Sequence, residues 1–433
     1  MKYNNVAMFE QASLDYHSAE PHGKTSIRLT KPLHSPHDMS LAYTPGVAAP
    51  CRAIAMDGRA SYRYTNRGNL VAVVTNGSAL LGLGNLGPLA AKPVMEGKAM
   101  LLKALADIDS FDIELDETDH DRIIDHIRAL ATGFGAILLE DIKAPECFYI
   151  ERRLKELLTI PVLHDDQHAT AVVVAAAVIN SAKLTHRSIE SLRTVICGAG
   201  AAAIATAKML VSLGVQRQNL VMCDSLGVIT ADRPLLSDYK RHFATTRPLK
   251  TLQEAVRGAD LFIGAAKGNL LTGEMVLTMA DNPIVLALSN PTPELDPGVA
   301  RTIRPDLIYA TGRSDLENQV NNALAAPYLF RAALDTEAST INEEMLLAAA
   351  EAIATLAEWE VPQEVAHTYN NRLRFGPHYL LPKINDRRLL SVVTPAVAEA
   401  AIRTGVARRS HASREEYLEA LERRMEQTEK VSG

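Results

Sequence analysis

Four acidic side chains arrive as two adjacent pairs, Glu140–Asp141 in "AILLEDIKAPECF" and Asp165–Asp166 in "PVLHDDQHATAVVV". Each pair closes a short apolar run of strand character, and carboxylates at the ends of buried strands suit a site better than a core. Together they supply the hard oxygen ligands that Mg2+ or Mn2+ prefers, with positions left for substrate oxygens and water. Two simpler readings compete with a metal site. Asp166, just ahead of an apolar helical stretch, has the chemistry of a helix N-cap. His164 and His168 would suit zinc if one helix ran through both, but Asp165–Asp166 reads as a helix start.

A base and two glycine loops complete the chemical inventory. "VVTNGSALLGLGNLGP" holds a G-x-G-x-x-G at Gly82, Gly84 and Gly87, and "KPVMEGKAMLLKAL" follows it with Lys92, Lys98 and Lys103. A lysine against an apolar wall has its pKa lowered and becomes a base, which makes Lys98 a candidate. Pro88 and Pro93 follow this loop and no acidic strand end succeeds it, so it fails the dinucleotide pattern. "LRTVICGAGAAAIATAKMLVSLGVQRQNLVMCDS" meets that pattern: a strand over 192–197, Gly198, Ala199 and Gly200, then Ala201 and Ala202 opening a helix to Leu213. Ala203 takes the third glycine position, which serves helix packing, and Asp224 ends the next strand where a ribose hydroxyl would bind. Asn290 in "LALSNPTPEL" ends another strand, and "DLENQVNNALAAP" adds Asn318, Asn321 and Asn322. Amides outside strand ends can donate to a substrate carboxylate.

These residues need a scaffold, and the chain has the length for two domains: 433 residues, of which 47% are apolar. The first part, to about residue 165, mixes helices with strand candidates at 70–75 and 135–141. From about Asp166 helix-length and strand-length segments alternate, which reads as a helix-covered parallel sheet. The stretch from Arg414 is an amphipathic helix with Tyr417, Leu418, Leu421 and Met425 on one face. A formal charge of −6 gives no general case for nucleic-acid or membrane binding. No apolar run backs the N-terminal lysine as in a secretory signal, and the longest such run, Ala171 to Ile179, is too short to span a bilayer. Cys51, Cys147, Cys197 and Cys223 form no C-x-x-C pair, which argues against a disulfide framework and a thiolate zinc site. A cytoplasmic location is expected.

The motifs "LAYTPGVAAPC", "TNGSALLGLGNLGPLAAKPVMEGK", "LEDIKAPECF", "HDDQHATA", "GAGAA", "ALSNPTPE" and "NQVNNALAAPYLFRAAL" resemble malic enzymes in the same order over nearly the whole chain. The similarity is strongest to the malic-enzyme part of bacterial hybrids that carry a phosphotransacetylase-like domain. It implies an α/β protein with an N-terminal malic-type catalytic domain over 1–165, then a Rossmann-like NAD(P)-binding domain with C-terminal helices over 166–433. It implies oxidative decarboxylation of (S)-malate to pyruvate and CO2, with Mg2+ or Mn2+. By the same resemblance Tyr43 is the acid, Lys98 the base and Asp165 its carboxylate partner. Glu140, Asp141 and Asp166 fall on metal ligands, and Asn290 and Asn322 on substrate or nicotinamide positions. The chain departs from the family pattern at Ala169, usually glycine, at Ser289 and at Ala325–Ala326.

The nucleotide is ambiguous from the residues. Asp224 alone favours NAD+, whereas Ser225 and Arg233 could supply a donor and a cation to a 2′-phosphate. The hybrid relatives, often NADP+-dependent, read similarly here, so NADP+ is expected and NAD+ is the alternative. A homodimer or larger homo-oligomer is expected from the resemblance. So is the absence of acetyl-CoA control, because the hybrids continue where this chain stops. A metal-assisted hydroxy-acid dehydrogenase that does not decarboxylate and a silent cofactor-sensing module are the alternatives.

Overall fold

In the computed structural model, which describes residues 6–80, 83–369 and 373–432, two parallel sheets follow one another along the chain. The first has strands β1 (Leu70–Thr75), β2 (Asp109–Glu114), β3 (Ala136–Leu139) and β4 (Val162–His164), in the order β2-β1-β3-β4. All its pairings are parallel. "LVAVVT" and "AILL" are apolar throughout because both faces of a parallel sheet are covered, and every residue of β1 and β3 is buried. β2, "DSFDIE", is half-exposed at the edge and carries charges. Its polar alternation explains why it does not announce itself as a strand in the sequence.

Helix α1 (Val6–Ser18) and helix α2 (Pro36–Ala42) precede this sheet; α3 (Pro88–Ala106) follows β1 and α4 (Glu146–Leu157) follows β3. α5 (Asp165–Leu184) leaves β4 with no intervening loop. Fourteen of its 20 residues are buried, as its run of valines and alanines requires. A boundary between 165 and 166 therefore falls one residue inside α5.

The second sheet has β5 (Thr194–Cys197), β6 (Leu220–Asp224), β7 (Gly227–Val228), β8 (Leu261–Gly264), β9 (Ile284–Ala287) and β10 (Ile308–Thr311). Its order is β10-β9-β8-β5-β6-β7, with only β7 antiparallel. Strand order reverses beside β5, the crevice where open α/β sheets bind ligands. α6 (Ala201–Leu213) follows β5 and ends on Gly214, whose φ of 119° suits a glycine cap. α7 (Ala326–Asp335), α8 (Glu343–Glu358), α9 (Arg388–Arg403) and α10 (Arg414–Ser432) close the chain. α5 packs on both α6 and α8, so the sheets share a core. Tyr417 and Leu421 of α10 are buried and Leu418 and Met425 half-buried, the face the sequence indicates.

Candidate active site

The first glycine segment spends its backbone donors on itself. Leu80 N–H donates to the Gly84 carbonyl (2.9 Å), and the Leu86 and Gly87 N–H groups both reach the Gly77 carbonyl (3.3 Å). Gly77, at φ +64°, approaches so closely that an added Cβ would lie 2.2 Å from the Gly87 oxygen. Gly82 lies outside the described residues. The segment is a turn that starts α3, with Gly87 at its N-cap and Pro88 at N1. α3 carries Lys98 inward, 8% exposed.

Lys98 Nζ donates to Asp165 Oδ2 at 2.7 Å and stands 3.3 Å from Glu140 Oε1. Asn322 Nδ2 donates to the same Asp165 oxygen. Four segments thus converge: α3, the end of β3, the start of α5 and the turn before α7. Asp165 Oδ1 and Glu140 Oε2 are buried with no hydrogen-bond partner. Asp141, held at φ 53°, donates its N–H to Asp166 Oδ2 (3.1 Å) and accepts at its carbonyl from Ala79 N–H (3.0 Å). A left-handed conformation in a residue other than glycine is uncommon and turns this carboxylate away from the strand direction.

The electrostatics correct one expectation. Burial opposes the charge on Lys98, but Asp165 and Glu140 outweigh it and raise the ammonium above its usual range. The lysine faces carboxylates rather than an apolar wall, so its pKa goes up and not down. Desolvation, then repulsion from Asp165, pushes Glu140 well above the ordinary carboxylate range, and desolvation raises Asp166 despite His164.

Among the described residues no three of His, Cys, Asp and Glu stand together in metal-ligating geometry. The carboxylates hold Lys98 and a backbone N–H instead. Their chemistry still fits a hard cation: Glu140 has a bare buried oxygen and is crowded by Asp165, Asp166 and Asp141. Asp166 is not the N-cap of α5, because His164 holds that position without a side-chain bond. No helix runs from His164 to His168, and the two rings face different acids. His164 Nε2 lies 3.9 Å from Asp166, whereas His168 Nε2 bonds Glu151 (2.9 Å).

Glu151 is a residue that motif reading missed. From α4 it accepts from the His164 N–H (3.1 Å), Gln167 Nε2 (3.2 Å), His168 and Lys155, bracing the turn that carries Asp165 and Asp166. Burial works against its charge, but His168 and Lys155 hold it far below the usual carboxylate range. Its only signal in the sequence is an acid on the apolar face of an amphipathic helix.

The second glycine loop is built differently. An added Cβ at Gly198 (φ +129°) would meet the Ala265 carbonyl oxygen at 2.3 Å, whereas the Ala203 methyl fits beside it at 3.5 Å. Gly200 caps α6, and the helix start at Ala201–Ala202 lies at the carboxyl end of β5. Arg233 grips both oxygens of Asp224 (2.9 and 3.0 Å) and Lys240 reaches it at 2.8 Å. Burial notwithstanding, these cations pull Asp224 down to about 2. Lys240, on the short helix Asp238–His242, is the second residue the sequence did not offer.

Asn290 is exposed beyond β9, and its amide would lie 2.7 Å from any Cβ at Gly312. Asn318 is architectural: its Nδ2 donates to the Tyr309 (2.9 Å) and Pro377 (2.7 Å) carbonyls. Ala169, Ala325 and Ala326 are buried in the core. Tyr43 stands apart at the C-cap of α2, 67% exposed, with no hydrogen bond joining it to Lys98.

A charged strand-end cluster and a glycine-started crevice of dinucleotide-binding type, on two successive parallel sheets, define the class of α/β scaffold. Residues 22–155 match the family described as "Malic enzyme, N-terminal domain", and 167–402 match "Malic enzyme, NAD binding domain". The chain belongs to the malic enzyme family. It is 52% identical to the NADP-dependent malic enzyme of Salmonella typhimurium over 95% of its length and 55% of that protein's. The NAD-dependent malic enzyme of Rhizobium meliloti is 50% identical over 96% of this chain and 54% of its own length. The chain thus spans about half the length of these curated relatives. The crystal structure of the malic enzyme from Pyrococcus horikoshii superposes with a TM-score of 0.89 at 38% identity, covering 98% of this chain and 97% of the other. Among the described residues no helix is long and apolar enough to cross a membrane.

Proposed function

We propose that the chain oxidises and decarboxylates (S)-malate to pyruvate and CO2, reducing NADP+ with the help of Mg2+ or Mn2+. The observation that carries this reading is the buried set of Lys98, Asp165 and Asn322 beside Glu140. Lys98, held by its hydrogen bond to Asp165, is the proposed base: once its ammonium has given up a proton, the amine removes the hydroxyl proton of malate as hydride leaves C2. Asn322 holds Asp165 oriented for that exchange. Asn322 and Asn290 are the proposed amides for the substrate carboxylate and the nicotinamide. Glu140, Asp141 and Asp166 would hold the cation, which when bound supplies a Lewis acid to the substrate oxygens. Tyr43 is the proposed acid that protonates C3 after CO2 departs.

The relatives' names divide between NADP and NAD, so the nucleotide rests on the site. Asp224 faces two cations, Arg233 and Lys240, which leaves a net positive charge where a 2′-phosphate would come. Asp224 then acts as a bracket for cations rather than as a barrier to phosphate.

Apolar side chains of the first 60 residues, among them Leu14, Ile27, Leu29 and Leu41, are more than 60% exposed. The reading therefore asks for a homodimer or larger assembly that covers this arm and with it Tyr43. A cytoplasmic location accompanies the proposal. Turnover of malate with Mn2+, run with NADP+ and NAD+ in parallel and analysed for pyruvate and CO2, tests the whole. Oxaloacetate without CO2 would make the chain a simple hydroxy-acid dehydrogenase, and no turnover would make it a cofactor-sensing module.

A further inference from the structure

A cavity of about 500 Å³ opens away from both crevices, between the turns that precede β1, the C-terminal end of α7 and the helix α10. Its volume is in the range of small-molecule sites. Four arginines line it, Arg59, Arg63, Arg409 and Arg424, against two carboxylates, Asp335 and Glu337. Both carboxylates are already engaged. Glu337 pairs with Arg59 at 2.9 Å. Asp335 is held from behind by the buried Arg331, at 3.0 and 2.6 Å, and by the Tyr417 hydroxyl at 2.9 Å. Arg424 stands 3.5 Å from Asp107 and 3.9 Å from Asp335 and is already engaged within the wall. Two guanidinium groups at the cavity, Arg63 and Arg409, have no ion-pair partner among the described residues.

Arg63 and Arg409 are exposed at the mouth of the cavity, but the layout is not that of one charged helix face. The arginines come from segments far apart in sequence, and Asn66, Asn69 and Thr65 add polar groups to the same wall. Asn69 is itself fixed, donating to the Asp107 carbonyl (2.9 Å) and accepting from Arg331 (2.5 Å), so that wall is rigid. Guanidinium groups present planar forks of donors that match the paired oxygens of phosphate and carboxylate groups.

We propose that this cavity binds a small metabolite carrying a multivalent oxyanion, with Arg63 and Arg409 as its principal ligands. Phosphate esters and polycarboxylates share that chemistry. The site is separate from Lys98 and from the Gly198 loop, so it is a second binding place on the chain and not a part of the substrate crevice.

Calorimetric titration of the full chain, saturated with NADPH and free of metal, with pyrophosphate and separately with citrate at constant ionic strength tests this. Saturable one-to-one binding of at least one anion is expected. It should weaken on the order of tenfold or more in the double variant Arg63→Gln/Arg409→Gln, since charge-assisted forks are the strong contacts. Both side chains lack ion-pair partners among the described residues, so the variant should keep the wild-type melting temperature and NADPH affinity, which separates loss of the site from loss of the fold. Pyrophosphate alone binding would assign a phosphate ester, citrate alone a polycarboxylate, and both the shared oxyanion chemistry. No saturable binding of either anion at millimolar concentration, or affinity unchanged in the double variant, overturns the proposal.

Discussion

Both crevices of this chain lie at the carboxyl ends of parallel strands, yet they are built from opposite materials. Beside β5 the floor is backbone and methyl groups: Gly198 lies against the Ala265 carbonyl, and the charged groups wait at the rim around Asp224. Beside β3 and β4 the floor is charge itself, with Lys98, Glu140 and Asp165 all buried. A cofactor needs close approach and a helix N-terminus, which small residues supply with little electrostatic cost. Proton transfer needs ionisable groups out of water, and the strain of that burial appears as shifted pKa values. On the proposed reading, the dinucleotide rests mainly on the second sheet and the ionisable groups mainly on the first, with Asn322 reaching across.

The sharpest way to break this comparison is at Lys98. Lys98→Ala should lower malate turnover by about 10²–10⁴-fold, the range expected for a general base. NADPH binding, measured by fluorescence titration, should be unchanged because the Gly198 loop belongs to the other sheet. Loss of both in a folded variant would mean the two floors are one site.

A smaller effect is expected at the rim. Lys240→Ala should cut kcat/KM for NADP+ by roughly tenfold or more, as loss of a hydrogen bond to a charged group costs about 1.5–3 kcal/mol. NAD+ kinetics should move little. Equal losses with both nucleotides would sink the phosphate assignment.

Glu140 tests the strain. Its carboxyl is raised in the folded protein, so the stability it contributes is full below the ordinary carboxylate range and is lost as pH rises through the raised folded value. Glu140→Gln should therefore raise the melting temperature at neutral pH, by about 1–3 °C, while losing activity. The gain should fade as pH falls below about 4, where both proteins are uncharged at this position. A variant less stable than wild type at pH 7 would show that the pair with Lys98 outweighs the burial.

Ala169 gives the smallest expected effect. Ala169 is buried within α5, and Ala169→Gly should cost about 1 kcal/mol in denaturant titration with kcat near wild type. A large rise in kcat would give the methyl group a catalytic consequence.

The same division decided what could be seen in the sequence. The nucleotide floor is written locally: strand, Gly198, Gly200 and helix are contiguous, and Asp224 and Arg233 follow within a short span. The charged floor is assembled from afar. The partner that sets the state of Lys98 lies 67 residues away, so the type of residue was legible but the direction of its pKa was not. Glu151 and Lys240 escaped because a brace and a second cation carry no motif, and β2 because an edge strand need not be apolar. Tyr43 was marked by its motif alone, and its surroundings in the isolated chain are solvent.

α5 has one more consequence. It opens with Asp165 at the edge of the first sheet, and its flank packs on α6 and α8 beyond it. A helix owned by both halves makes the halves cooperative in folding: melting the second sheet strips α5 of its burial and releases the acidic pair that belongs to the first. Denaturant unfolding followed by circular dichroism and by NADPH fluorescence should then give coincident single transitions, and a cut within 165–184 should leave neither fragment with an ordered site.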